Sequence, residues 1–283
     1  MMEASEKGGK RHASINPRLL PGEGQRIEKM QGHWALARAG KRVLRPGGLA
    51  LTRRMIEALT ISSADRVVEF APGLGVTARM VLRNKPQAYW GVERDPVAAS
   101  RLEVRLSGGN VKIFQAQAEH TGLPDACASV VYGEAMLSMQ GPEQKKHIFS
   151  EARRLLAVGG RYGIHELCFR PEGISDAVRH EIEAEMSKEI HVGVQPLRRG
   201  DWVQLFEQHG LKVTWYSEAP LDLLEPRRML QDEGILRCLK IAFNVASDSR
   251  LRQRIIGLRR IFRKYREHLG AISIVGLREE GVV

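Results

Sequence analysis

The sequence predicts an α/β protein: a doubly wound, seven-stranded, mostly parallel sheet with helices on both faces and a helical insertion between the last two strands. Three observations carry this expectation. From residue 65 onward, short apolar runs alternate with helix-like stretches, the pattern of repeated strand–helix–strand units. Several of those runs are almost continuously apolar, as strands covered on both faces are. The first of them, in "RVVEFAPGLGVTARM" (66–80), carries an acid near its end and opens into a glycine-containing loop before a helix.

Taken in chain order, residues 1–30 are polar, glycine-containing and without period, and are expected to form a mobile tail. From Gln31 the stretch "HWALARAGKRVL" reads as a helix, stopped by Pro46-Gly47-Gly48. Thr52 is placed to cap the next helix, "RRMIEAL", so that residues 31–60 form an N-terminal helical lid. The core, 61–225, holds strands "RVVEF", "AYWGVE", "VKIFQ", "SVVYGE" and "RYGIHEL". Helices are expected at 75–84, 96–107 and 142–157, the last ending at Gly159-Gly160. Further helices are read at 175–190 and 200–209, and strands near 211–217 and 271–278. Residues 226–268 form a basic helical insertion, and 269–283 return to the core as the final strand.

Composition sets the broad class. With 43% hydrophobic and 27% charged residues over 283 positions, the chain is an ordinary globular protein. No apolar run approaches the roughly 18 residues of a membrane span. The first residues lack the apolar stretch of a secretory signal. Cys127, Cys168 and Cys238 lie far apart with no C-x-x-C pair, which argues against a disulfide framework or a metal site and for a reducing, cytoplasmic home. The net charge of +11 is concentrated: 226–268 holds twelve Lys/Arg against four acids.

The loop Gly73-Leu74-Gly75-Val76-Thr77-Ala78 fits G-x-G-x-x-G/A, and Glu93 follows twenty residues after Gly73 at the end of the next strand. On those residues alone an NAD-dependent oxidoreductase is a fair reading. Glu69 discriminates. A carboxylate at the mouth of the loop repels a pyrophosphate, whereas the sulfonium and ammonium groups of S-adenosyl-L-methionine tolerate or favour it.

In these residues the chain resembles the class I, Rossmann-like S-adenosylmethionine-dependent methyltransferases, whose first motif is acid-x-G-x-G-x-G. Here it reads Glu69-Phe70-Ala71-Pro72-Gly73-Leu74-Gly75, with Ala71 for the first glycine, a replacement that fits if its φ is negative. Further motifs follow in order over residues 60–217: "YWGVERDP", "QAEHTGLPDACASVVYGEAML" and "EARRLLAVGGRYGIHE". The resemblance implies that Glu69, Ala71, Gly73 and Gly75 hold the cofactor, that Glu93 binds its ribose hydroxyls with Arg94 beside the adenine, and that Gln117 and Ala118 meet the adenine edge. It also implies a last pair of antiparallel strands. Gln117 stands where the family has an acid, and Val158 where it has proline.

Ligands of open α/β sheets sit beyond the carboxyl ends of the strands, so Glu134, His165 and Glu166 are the substrate-side candidates. Glu134 is placed to meet the methionine end of the cofactor or the acceptor. Glu134 or His165 would serve as general base, the other orienting it, if the acceptor loses a proton. Trp34 and His191 are secondary candidates, and Lys41, Arg42 and Arg45 are possible carboxylate partners. The chain has Gly-Glu-Ala-Met after the fourth strand instead of N/D-P-P-Y, which argues against methylation of DNA bases or protein glutamine. The expected activity is methylation of a small, apolar molecule. Alternatives are a lipid-like acceptor at an anionic membrane surface met through 226–268, or RNA. Nucleic acid is the weaker partner because aromatic residues are only 6% of the chain, and Phe262 and Tyr265 fall on the apolar face of the periodic series Leu251, Ile255, Leu258, Phe262, Tyr265, Leu269. An earlier helix, 233–246, carries Leu236, Leu239 and Phe243.

Overall fold

A computed structural model describes residues 19–106 and 108–280. The expected mobile tail therefore lies outside the described residues as far as residue 18. Beyond it the chain is packed, not loose: a single turn, Ile27–Lys29, buries Ile27, which joins Ala39, Ile241 and Leu251 in a small apolar cluster.

Helix α1 (Gly32–Ala39) ends at Gly40, whose φ of 109° is open to glycine alone, six residues before the expected stop at Pro46. Helix α2 (Gly48–Leu59) starts four residues before Thr52, so Thr52 is not its cap. Thr52 lies inside the helix, fully buried, with its hydroxyl committed elsewhere.

The strands are β1 (Arg66–Phe70), β2 (Ala88–Val92), β3 (Val111–Phe114), β4 (Ala128–Glu134), β5 (Leu156–Phe169), β6 (Leu197–Arg198), β7 (Leu211–Pro220) and β8 (Leu269–Arg278). Their order is β3-β2-β1-β4-β5-β8-β7, with two-residue β6 attached to the end of β5. Strands β1 to β5 pair in parallel, and β8 runs antiparallel between β5 and β7. The expected seven strands are all present; β6 is the addition.

Helices α3 (Val76–Val81), α4 (Pro96–Arg105), α5 (Pro142–Leu155), α6 (Asp176–Ile190) and α7 (Arg199–Gln208) follow the expected order. Local chemistry starts α4 sharply: Asp95 accepts from the amides of Val97 and Ala98, and Pro96 occupies the first turn. Helix α5 stops earlier than expected. Its end at Leu155 passes directly into β5, and the Gly159-Gly160 pair lies within that strand, with Gly159 at φ 76°.

Two apolar layers cover the sheet. On one side Phe149 of α5 meets Tyr162 of β5 and Phe206 of α7 edge-on. On the other, Met55 and Leu59 of α2 pack with Val81, Tyr89 and Leu102. The insertion forms three helices instead of two: α8 (Pro226–Glu233), α9 (Ile235–Ser247) and α10 (Ser249–Lys264). The periodic residues Leu251, Leu258, Phe262 and Tyr265 of this last stretch are buried as the spacing predicts. Leu269 is buried too, but as the first residue of β8. Together with Leu36, Ile182 and Met186, the α10 residues Leu258 and Phe262 build a third cluster above the sheet's carboxyl edge.

Candidate active site

A cavity of about 560 Å³ opens beyond the carboxyl ends of β1, β2, β4 and β5. Its floor is the loop after β1, with Ala71, Pro72, Gly73 and Leu74 in the wall. Gly73 has φ 53°, and a Cβ there would meet only the Ala71 carbonyl, at 3.9 Å. The space above Gly73 is thus open for a ligand to approach the backbone. Gly75 differs. It does not line the cavity; at φ 69°, a Cβ on it would strike Leu102 Cδ2 at 2.9 Å. Its job is close packing of the loop on α4, so the expected cofactor contact through Gly75 is not what the structure shows.

Ala71 lines the cavity, but its φ is +51°, not negative as its replacement of glycine required. Ala135, at the end of β4, has the same left-handed backbone, φ 52°. Each costs roughly 1–2 kcal/mol relative to an ordinary conformation. Each is held by the sheet: the Ala71 amide donates to the Val92 carbonyl and the Ala135 amide to that of His165, both at 2.8 Å.

Glu93 is buried in the cavity wall. Its carboxylate accepts from the amides of Gly73 and Asp95, each at 3.0 Å, tying the glycine loop to the end of β2. Burial pushes its pKa up while those two amides oppose the shift. Arg94, Gln117 and Ala118 line the same end. Beside them, His33 of α1 is brought down to about 4 by burial and by the Arg94 guanidinium, and is therefore a neutral ring at pH 7.

Glu69 is the largest departure. It is 3% exposed and not in the cavity wall. Its Oε2 accepts from the hydroxyls of Tyr89 and Tyr132, which lie on the same face of the sheet. Burial pushes its pKa up to about 7 despite those two donors. An acid that burial drives toward its neutral form, turned behind two tyrosines, does not guard the loop, so Glu69 does not discriminate between the two cofactors there.

The ionised carboxylate of the cavity is Glu134. Four polar groups surround it: the donors Thr52 Oγ1 at 2.6 Å, Thr77 Oγ1 and Arg45 Nη1 at 3.2 Å, and the ring nitrogen His165 Nδ1 at 2.8 Å. Burial opposes its ionisation, but Arg45, His165 and Thr52 outweigh that and hold its pKa at about 2. A carboxylate has about four lone-pair positions, so none is left to take a proton from an acceptor. His165 is fully buried and absent from the cavity wall. Its Nε2 donates to the Pro46 carbonyl at 2.6 Å, and its Nδ1 is engaged by Glu134. The expectation of a general base at Glu134 or His165 is therefore corrected: both brace the wall. Glu166 is a brace as well, accepting from the amides of Met136, Leu137 and Ser138.

Sequence reasoning named Arg45 as a carboxylate partner, as it is for Glu134, but missed Thr52 and Thr77 as its companions there; the three come from segments with no shared motif. Arg45 donates through Nε to Thr52, pairs with Glu134, and lines the cavity. Its Nη2 is buried and has no hydrogen-bond partner among the described residues. Of the other expected carboxylate partners, Arg42 lines the cavity, whereas Lys41 is buried against Glu233 at 3.6 Å. Trp34 and His191 also line the cavity.

A parallel sheet with a glycine-floored cavity at its carboxyl edge, a buried acid tied to that loop and a guanidinium with one unpartnered nitrogen suit a nucleoside-bearing cofactor. The methyltransferase-domain family model matches residues 67–160. An uncharacterized protein of Haemophilus influenzae is 32% identical over 217 residues, covering 75% of this chain and 84% of that one. Two solved structures share the fold. A putative sarcosine dimethylglycine methyltransferase from Galdieria sulphuraria aligns with a TM-score of 0.65 at 13% identity, covering 83% of this chain and 87% of that one. Geranyl diphosphate C-methyltransferase from Streptomyces coelicolor A3(2), solved with S-adenosyl-L-homocysteine, aligns with a TM-score of 0.57 at 16% identity, covering 81% and 78%. The chain belongs to the class I S-adenosylmethionine-dependent methyltransferases, its cofactor is S-adenosyl-L-methionine, and the oxidoreductase reading is set aside.

The residues present fit that cofactor. The open space over Gly73 admits its methionine part, the unpartnered Arg45 Nη2 matches a carboxylate, and Glu93 retains lone pairs for two hydroxyls.

Proposed function

We propose that this methyltransferase acts on a small, largely apolar molecule. The carrying observation is the apolar stretch of the cavity wall, where Leu36, Leu167, Leu221, Leu223, Leu258 and Phe262 of one hydrophobic cluster face the cavity. Bound at the glycine loop, S-adenosyl-L-methionine supplies a methyl group on a cationic sulfur. Glu93 would hold the ribose, Gln117 and Ala118 the adenine edge, and Arg45 the carboxylate. Glu134 contributes by fixing Arg45 and the end of β4, not by moving a proton. Of residues 31–60, expected as a lid, only α1 and the segment through Pro46 close a wall of the cavity, with α10 as its roof; α2 covers the face of the sheet instead. The apolar wall excludes water and holds the acceptor in line with the methyl group, which is where most of the acceleration arises.

Leu258→Arg tests the chamber. Labelled-methyl transfer to apolar acceptors from cell extracts is expected to fall by about 100-fold, because the acceptor no longer reaches its in-line position. Calorimetric affinity for S-adenosyl-L-homocysteine is expected to be unchanged. Retained transfer would place the acceptor elsewhere.

A further inference from the structure

We propose that α9 docks this protein on an anionic lipid surface. The proposal concerns the outer face of the insertion, and it holds whichever acceptor the chamber takes. One side of α9 is anchored. Ile241 is buried in a cluster with Ala39 and Leu251, Val245 packs against the same cluster, and Asn244 Nδ2 donates to the Ala39 carbonyl at 3.0 Å. The opposite side is apolar and bare. Ile235, Leu236, Leu239 and Phe243 fall within one arc of the helix, and Leu236 and Phe243 are 84% and 70% exposed. Leu230 of the neighbouring α8 adds to the patch. An apolar face on this scale, on a chain otherwise well packed, marks an interaction surface.

Charge selects the occupant. Lys240 edges the patch and Arg227 is exposed on α8; neither makes an ion pair among the described residues. Three of the four acids of the insertion hold backbone amides, and the fourth, Glu267, follows α10, away from the patch on α9. Asp232 accepts from the Leu49 amide, Glu233 from those of Arg42 and Val43, and Asp248 from those of Arg250 and Leu251. What remains outward is a hydrophobic strip in a cationic field, the arrangement that seats a helix at the headgroup level of an anionic bilayer. A second copy of the chain is disfavoured by the same field, since docking face to face would oppose two segments that each carry twelve Lys/Arg against four acids. No helix among the described residues is long and apolar enough to cross a membrane, so the contact is a surface one.

Co-sedimentation with vesicles of phosphatidylglycerol in phosphatidylcholine tests the proposal, with phosphatidylcholine alone as the comparison. The expected result is binding to the anionic vesicles that weakens as salt is raised. In the variant carrying Leu236→Asp and Phe243→Asp, binding is expected to drop by at least about tenfold, since two apolar anchors are lost. Affinity for S-adenosyl-L-homocysteine should stay at its wild-type value, showing that the variant is folded. Four outcomes overturn the proposal: no binding by the intact chain, equal binding to neutral vesicles, equal binding by the variant, or a dimer in analytical ultracentrifugation that the variant abolishes.

Discussion

Glu134→Ala is expected to cost about 3–5 kcal/mol of folding free energy, the largest single effect of any substitution in the cavity wall. Removing the carboxylate leaves the Arg45 guanidinium buried without its counter-charge, and it deprives Thr52, Thr77 and His165 of their common acceptor. Denaturant unfolding at neutral pH measures the loss. Glu134→Gln keeps an acceptor but not the charge, and should fall between the two. The pH dependence has a definite sign. The Glu134 carboxyl is held at about 2 in the folded chain, against 4.5 ordinarily. Its contribution is therefore full above pH 4.5 and is lost as pH falls toward about 2; Glu134→Gln lacks that component. An alanine variant as stable as the wild type would remove Glu134 from the centre of the network.

Glu69→Gln is expected to act the opposite way and to stabilise the protein at alkaline pH. The Glu69 carboxyl is pushed up to about 7 by burial, so the neutral acid is the form the fold prefers. Its stabilising contribution is full below pH 4.5 and is lost as pH rises through about 7. Glutamine mimics the neutral acid and does not titrate. Between about pH 5 and pH 8 the variant should gain about 3 kcal/mol relative to wild type. The measurement is a pair of denaturation series across that range. Parallel curves would mean that Glu69 is ionised and satisfied by Tyr89 and Tyr132 alone.

Much of the fold was legible because it depends on period and punctuation. Buried parallel strands read as apolar runs, and Asp95-Pro96 marks the start of α4 within a residue. The site was legible only in part, because sequence order places a residue at a strand's end without saying which way its side chain turns. Glu93 and Ala118 reach the cavity, whereas Glu69 turns to the sheet face it shares with Tyr89 and Tyr132. The register explains the turn: Glu69 pairs with Tyr132 across β1 and β4, so the two side chains lie together on one face, and that register is not written in the sequence. Arg45 was legible as a cation in search of a carboxylate, but nothing local announces that Thr52 and Thr77 join it on Glu134 through tertiary packing. Likewise the heptad-like spacing in the insertion identified α10 as amphipathic and packed, but period alone cannot tell an apolar face with a partner from one without, as on α9.

The central claim is that the cavity binds S-adenosyl-L-methionine with Glu93 at the ribose. Calorimetric titration of S-adenosyl-L-homocysteine into wild type and Glu93→Ala tests it most directly. One site per chain is expected, with binding weakened by more than about tenfold in the variant, the cost of losing hydrogen bonds to a charged acceptor. Equal affinity in both proteins would contradict it.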